Sequence, residues 1–108
     1  MSIAIGELRR RLTLEAASDT PDGAGGAIRA WVPVGSVFAR VEPRRRRESV
    51  EDGRAVGVVT HCVTIRRRDD VDGRVRFVGD GATYRVVAVE DADPQRRFQD
   101  CWCEEEQA

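Results

Sequence analysis

The sequence predicts an all-β domain: a small antiparallel β-barrel or sandwich of six to seven strands with a long polar inserted loop. Three observations carry this. Apolar residues alternate with polar ones through most of the chain, with period two and not 3.6. Clusters of Gly, Pro and Asp cut the alternating runs at short intervals. The length of 108 residues fits one domain, residues 1–108, large enough to bury a core without a metal or disulfides. A closed sheet of this size also removes strand edges that would otherwise aggregate.

The elements follow in order. In residues 11–17, Leu12, Leu14 and Ala16 share one face, and Thr13 and Glu15 the other, as in a half-buried strand. Residues 18–26, with Pro21, Asp22 and three glycines, read as a flexible loop. Residues 28–34 place Ile28, Ala30 and Val32 opposite Arg29 and Trp31, which makes the first two strands a hairpin with a long tip. Gly35 breaks the pattern, and residues 36–42 form a third strand that Pro43 ends. Residues 44–54 carry almost no apolar content and leave the sheet as a mobile loop or a short solvated helix. The longest strand spans residues 56–68, with Val59, His61, Val63 and Ile65 on one face and Thr60, Cys62 and Thr64 on the other. Residues 69–73 turn the chain. The clearest hairpin joins residues 74–78 to 82–90 through Gly79-Asp80-Gly81. Residues 91–97 turn again, either as a plain turn or as one helical turn with Asp93 capping and Pro94 first. Residues 98–104 close the sheet, and Glu104, Glu105 and Glu106 open a solvated acidic tail.

Charge and composition exclude several classes. Charged residues make up 34% of the chain, yet the net charge is −1, so bulk polycation binding to DNA is not expected. All 18 basic residues are Arg. A GC-rich coding sequence explains that, as does selection for bidentate contacts to carboxylate or phosphate. No apolar run is long enough for a membrane span. The odd cysteine count, Cys62, Cys101 and Cys103, does not fit a secreted disulfide framework and suits a reducing cytoplasm.

The chain offers no catalytic constellation. Its single histidine, His61, and the neighbouring Cys62 point to opposite faces of a strand, which defeats a nucleophile pair between them. His61 reads as a hydrogen-bonded strand histidine at the core. Cys101 and Cys103 are separated by one residue, too close for the usual zinc spacing, and with His61 they would still lack a fourth ligand. Asp69, Asp70 and Asp72 lack the remaining ligands of a calcium loop. No catalytic residue, cofactor or metal is expected.

The most informative charge feature is the run Arg44, Arg45, Arg46 and Arg47, with Arg54 beyond it. Four adjacent like charges repel one another unless something negative lies near. Three readings stay open: a solvated loop, a contact with acidic surface on a neighbouring subunit such as Glu104, Glu105 and Glu106, or a phosphate contact with passing DNA.

The order of segments resembles a known family. Gly6-Glu7-Leu8-Arg9-Arg10-Arg11-Leu12 is similar to the opening strand of the phage head–tail joining (head-completion, stopper) proteins. Trp31 and the strand Val37-Phe38-Ala39-Arg40-Val41 resemble that family's "W…V…WA.V.P" segment, with Phe38 where Trp is common. Thr60-His61-Cys62-Val63-Thr64-Ile65-Arg66 resembles its "THxVxxR" strand, and Asp80-Gly81-Ala82-Thr83-Tyr84 its "DGxxY" hairpin. Residues 91–97 followed by Cys101-Trp102-Cys103-Glu104 look like its ending. The Arg-rich stretch 44–52 departs from the family pattern.

The resemblance implies a structural subunit, not an enzyme. Copies would form a ring homo-oligomer below the portal and adaptor ring, and join it to the tail terminator or tail-tube proteins. The inserted loop, residues 44–55, would reach toward packaged double-stranded DNA in the channel and help retain it. The implied location is the head–tail junction of a tailed phage or gene transfer particle, assembled in the bacterial cytoplasm, without membrane. Alternatives are a tail-completion or minor tail protein, or a small barrel binding single-stranded nucleic acid, which would need exposed aromatics along a basic groove. Aromatics are only 6% of the chain, which counts against the last.

Overall fold

The computed structural model describes residue 6 and residues 8–51 and 53–106; the side chains of residues 49, 51 and 54–56 are outside the described set. The expected all-β architecture is present. Strands β1 (Arg10–Pro21), β2 (Ala27–Glu51), β3 (Arg54–Arg66), β4 (Val75–Gly79), β5 (Ala82–Asp91) and β6 (Phe98–Glu105) close into an antiparallel barrel in the order β1-β2-β3-β6-β5-β4. Pairing of β4 with β1 completes the ring, with Leu14 opposite Phe77.

The period-two pattern sets what faces inward. Every strand sends alternate residues to one core: Leu12 and Leu14, Val37 and Ala39, Val63 and Ile65, Val75 and Phe77, Tyr84 and Val86, Cys101 and Cys103. The hairpin between β4 and β5 turns on Asp80 and Gly81, both with positive φ (53° and 76°), as a two-residue mirror-image turn requires. Its neighbour Gly79 sits against β1, where an added Cβ would come within 2.6 Å of Leu12 Cδ2 and 3.1 Å of the Arg11 carbonyl oxygen.

The structure corrects several sequence expectations. Residues 28–34 and 36–42 are not two strands but parts of β2. At Gly35 the register with β1 shifts: Leu14 faces Gly35 and Glu15 faces Pro33, so Val34 is an extra residue in a β-bulge. A bulge interrupts alternation without ending the strand. Pro43 does not end it either, since Pro43 pairs with His61. The polar excursion is neither loop nor helix. β2 and β3 continue as a paired ladder out to Glu51 opposite Arg54. Main-chain hydrogen bonds between two strands need no apolar side chains, so this hairpin arm shows no hydrophobic pattern.

Residues 91–97 form the expected turn and not its helical alternative; the Asp93 carboxylate accepts from the backbone N–H groups of Arg97 at 2.8 Å and Phe98 at 3.3 Å. The last correction lies at the C-terminal end of the sheet. Glu104 and Glu105 belong to β6, and the Glu106 N–H donates to the Thr83 carbonyl at 2.8 Å, so the acids are not a free tail.

Both ends of β2 overshoot the barrel. The chain extends 50 × 33 × 27 Å with a radius of gyration of 14.6 Å, against about 13 Å for a compact domain of this length. One projecting hairpin joins β1 to β2, and the other joins β2 to β3.

Candidate functional site

Among the described residues the chemistry-bearing side chains do not converge on a reactive centre. His61 sits in register with Cys103, but the ring is engaged otherwise. Its Nδ1 is 2.9 Å from Thr60 Oγ1, its ring packs edge-on against Tyr84 at 5.1 Å, and Nε2 is 3.8 Å from Glu105 Oε2. Cys103 Sγ donates to the Cys101 carbonyl at 3.3 Å. Burial pushes the Cys62 thiol up to about 11, with the Asp100 charge adding to it, and raises Cys101 and Cys103 as well. Thiols held protonated in this way are poor nucleophiles and poor metal ligands. Among the described residues no group of three His, Cys, Asp or Glu converges as a metal site. The arrangement is that of a core.

The arm is where the sequence and the geometry meet. Between Pro43 opposite His61 and Arg47 opposite Val59, Arg44, Arg45 and Arg46 face the single residue Thr60. The arginine run is therefore a wide bulge at the base of the arm, where a strand bends and twists. The run divides in two. Arg44 and Arg47 place their guanidinium groups 5.9 and 5.5 Å from the centroid of the Trp102 ring on β6. Arg44 also lies 3.7 Å from Glu42, which holds Arg40 at 2.9 Å. Trp102 Nε1 donates to Glu90 Oε1 at 2.9 Å. Arg45 and Arg46 are exposed, and no acid lies within 4.0 Å of them among the described residues. Arg54 pairs with Glu51 in the ladder, and its side chain is outside the described set.

The structure does not bring Glu104, Glu105 and Glu106 to the arginine run. Glu104 accepts from Arg85 at 3.0 Å, Glu105 faces His61, and Glu106 lies 3.8 Å from Arg76. Each has a partner within its own chain and keeps partial exposure. Of the basic stretch Arg66-Arg67-Arg68, Arg67 pairs with Asp91 and Arg68 with Asp70, which holds the Asp70 carboxyl below its usual range, while Arg66 has no acid within 4.0 Å among the described residues.

Sequence reasoning missed Trp102. The signal was present, since alternation puts it on the face opposite Cys101 and Cys103. The other tryptophan is used the same way. Arg76, paired with Glu15 at 2.7 Å, stacks 4.3 Å from the Trp31 centroid at the base of the β1–β2 hairpin. Each projecting hairpin is thus pinned to the barrel by arginine on tryptophan, and neither indole is left as an open stacking platform for bases.

Comparison with known proteins places the chain in a family. No curated protein matches the chain. A solved chain described as "Virion of native gene transfer agent (GTA) particle" is similar at 27% identity, with a TM-score of 0.70, over 94% of this chain and 97% of that one. A family model described as phage head completion protein matches residues 3–106. The chain belongs to the phage head completion protein family and is a structural protein of phage or phage-like virions.

Proposed function

We propose that the chain is a subunit of the head–tail connector, a stopper ring that joins the portal and adaptor to the tail and helps retain packaged double-stranded DNA. The observation that carries this is the paired polar arm leaving a closed barrel at a bulge of arginines. A closed barrel whose β2–β3 hairpin projects as an arm suits a ring in which barrels meet side by side and these arms point to a common axis. Such contacts are heterologous, with one patch meeting a different patch on the next copy, and they close when the rotation permits.

The arm divides the work. Arg44 and Arg47 are spent on Trp102 and set the arm's angle. Arg45 and Arg46 keep their charge available for phosphate, and copies around a ring would multiply it. Glu104, Glu105 and Glu106 remain candidates for the contact between copies only through their exposed edges, since each is already bound internally.

Particles assembled with and without this chain test the reading. Heads lacking it are expected to package DNA, lose it on standing and fail to carry tails. Particles carrying Arg45→Ala/Arg46→Ala are expected to assemble and lose DNA faster, with the loss steeper at high salt. Tailed, DNA-filled particles made in the chain's absence would overturn the proposal.

A further inference from the structure

β2 pairs with β1 from Ala27 to Ala39, and with β3 only from Ala39 onward. Over residues 27–38, one edge of β2 therefore carries no strand among the described residues. β3 ends at Arg66 and the chain turns away. The space left behind is a groove of about 480 Å³. Leu8, Val37 and Ile65, all buried, form its apolar lining, and Phe38, 59% exposed, forms its lip.

The rim is positive. Arg66 lines the groove with no acid within 4.0 Å among the described residues. Arg11, opposite Phe38 in register, donates to Ser36 Oγ at 2.8 Å, and no carboxylate meets it. On the same barrel Arg10, Arg29, Arg67, Arg68, Arg76 and Arg97 all hold carboxylates. Arg9 and Arg74 likewise have no carboxylate within 4.0 Å among the described residues, but of these unpaired arginines it is Arg66 that lines the groove, with Arg11 bonded to its lining residue Ser36.

We infer that this groove docks an extended acidic segment of a neighbouring virion chain, added as a strand along the free edge of β2. An open edge offers unpaired N–H and C=O groups to a peptide backbone. The apolar lining takes one side chain, and Arg11 and Arg66 take carboxylates. Nucleic acid would satisfy the arginines but neither the backbone edge nor the apolar lining. A second copy of this chain is disfavoured because the backbone of its acidic end is already paired, Glu104 and Glu105 with β5 and the Glu106 N–H with the Thr83 carbonyl, and cannot add as a strand. The inference rests on the chain being a virion assembly component, and not on which junction it occupies.

The test uses the full chain and a fluorescein-labelled nonapeptide of alternating Glu and Val with a central Phe. Fluorescence anisotropy gives affinity, and amide NMR shifts give the location. The peptide is expected to bind and to shift Ser36, Val37, Phe38, Ile65 and Arg66. Replacing its Glu with Lys, or introducing Arg66→Glu or Phe38→Ser in the protein, is expected to weaken binding about tenfold or more. Arg46→Glu on the arm is expected to change it little. Two versions of the peptide, N-methylated on alternate residues in the two phases, separate strand addition from simple groove filling; one of them is expected to fail. Absence of binding at about 1 mM, shifts on another face, equal binding of the Lys peptide, or full binding of both N-methylated versions would overturn the inference. None of these outcomes alters the particle phenotypes that test the connector role.

Discussion

The guanidinium of Arg47 lies 5.5 Å from the centroid of the Trp102 ring, joining the first turn of the arm to a strand that is not its neighbour in the sheet. With Arg44 on the same ring, the arm is tied at its bulge and cannot swing freely about the barrel.

Trp102→Ala is expected to free the arm while leaving the barrel folded. Two exposed cation–π contacts contribute about 1–2 kcal/mol together, so the melting temperature should fall by roughly 4–12 °C. Trypsin cleavage after Arg45 and Arg46 should accelerate much more than that small loss explains. Trp102→Phe, which keeps a ring face, should restore part of the protection. Unchanged cleavage in Trp102→Ala would show that the arm is held by its strand pairing alone.

Gly79→Ala is expected to destabilise the barrel by about 1–3 kcal/mol through overpacking. The new methyl would meet Leu12 Cδ2, which can shift, and the Arg11 carbonyl, which cannot do so without moving β1. Chemical denaturation measures it, and a neutral result would mean that β1 and β4 separate easily at that point.

How far the sequence could reveal this fold depends on burial. Where one face of a strand is buried, alternation showed it: Leu12 and Leu14, Val75 and Phe77, and Tyr84 and Val86 all face the core. The Asp80-Gly81 turn was legible because few residues tolerate its backbone. The arm was visible as polar but not as strand, because a ladder with both faces wet has no pattern to read. Gly35 misled because a bulge and a strand end look alike in one dimension. In β3, alternation separates Cys62 and Thr64 from the face of Val63 and Ile65 without showing that the second face is covered. Both are buried as well, with Thr64 Oγ1 donating to Asp100 at 2.7 Å. Trp102 was legible in position but not in role, since nothing local says that residues 44 and 47 fold over it.

The stability of the turn at Asp93 should depend on pH. Burial alone would raise this carboxyl, but the Arg97 side chain, the N–H groups of Arg97 and Phe98, and the Arg97 charge outweigh it and hold it below the ordinary range. A carboxyl depressed in the folded state stabilises above its unfolded pKa, near about 3.9, and loses that contribution as pH falls through the folded value. Asp93→Asn should therefore melt lower than the parent at neutral pH, with the gap closing below about pH 4. A gap that persists undiminished in acid would point to packing, not charge.

The three thiols should report global opening. With Cys62 pushed up to about 11 and Cys101 and Cys103 raised by burial, a thiol reagent at mildly alkaline pH should label none of them in the folded chain and all three in denaturant. Rapid labelling of Cys62 in the native state would show that the sheet between β3 and β6 opens locally.

The most direct measurement is electron cryomicroscopy of the intact particle's head–tail junction. A ring of these barrels is expected, in which each hairpin of residues 44–55 points at the channel axis, with the end of the ladder at Glu51 and Arg54 innermost and Arg45 and Arg46 behind it at the channel wall. Barrels found elsewhere in the particle, or arms pointing outward with Trp102 nearest the channel, would contradict it.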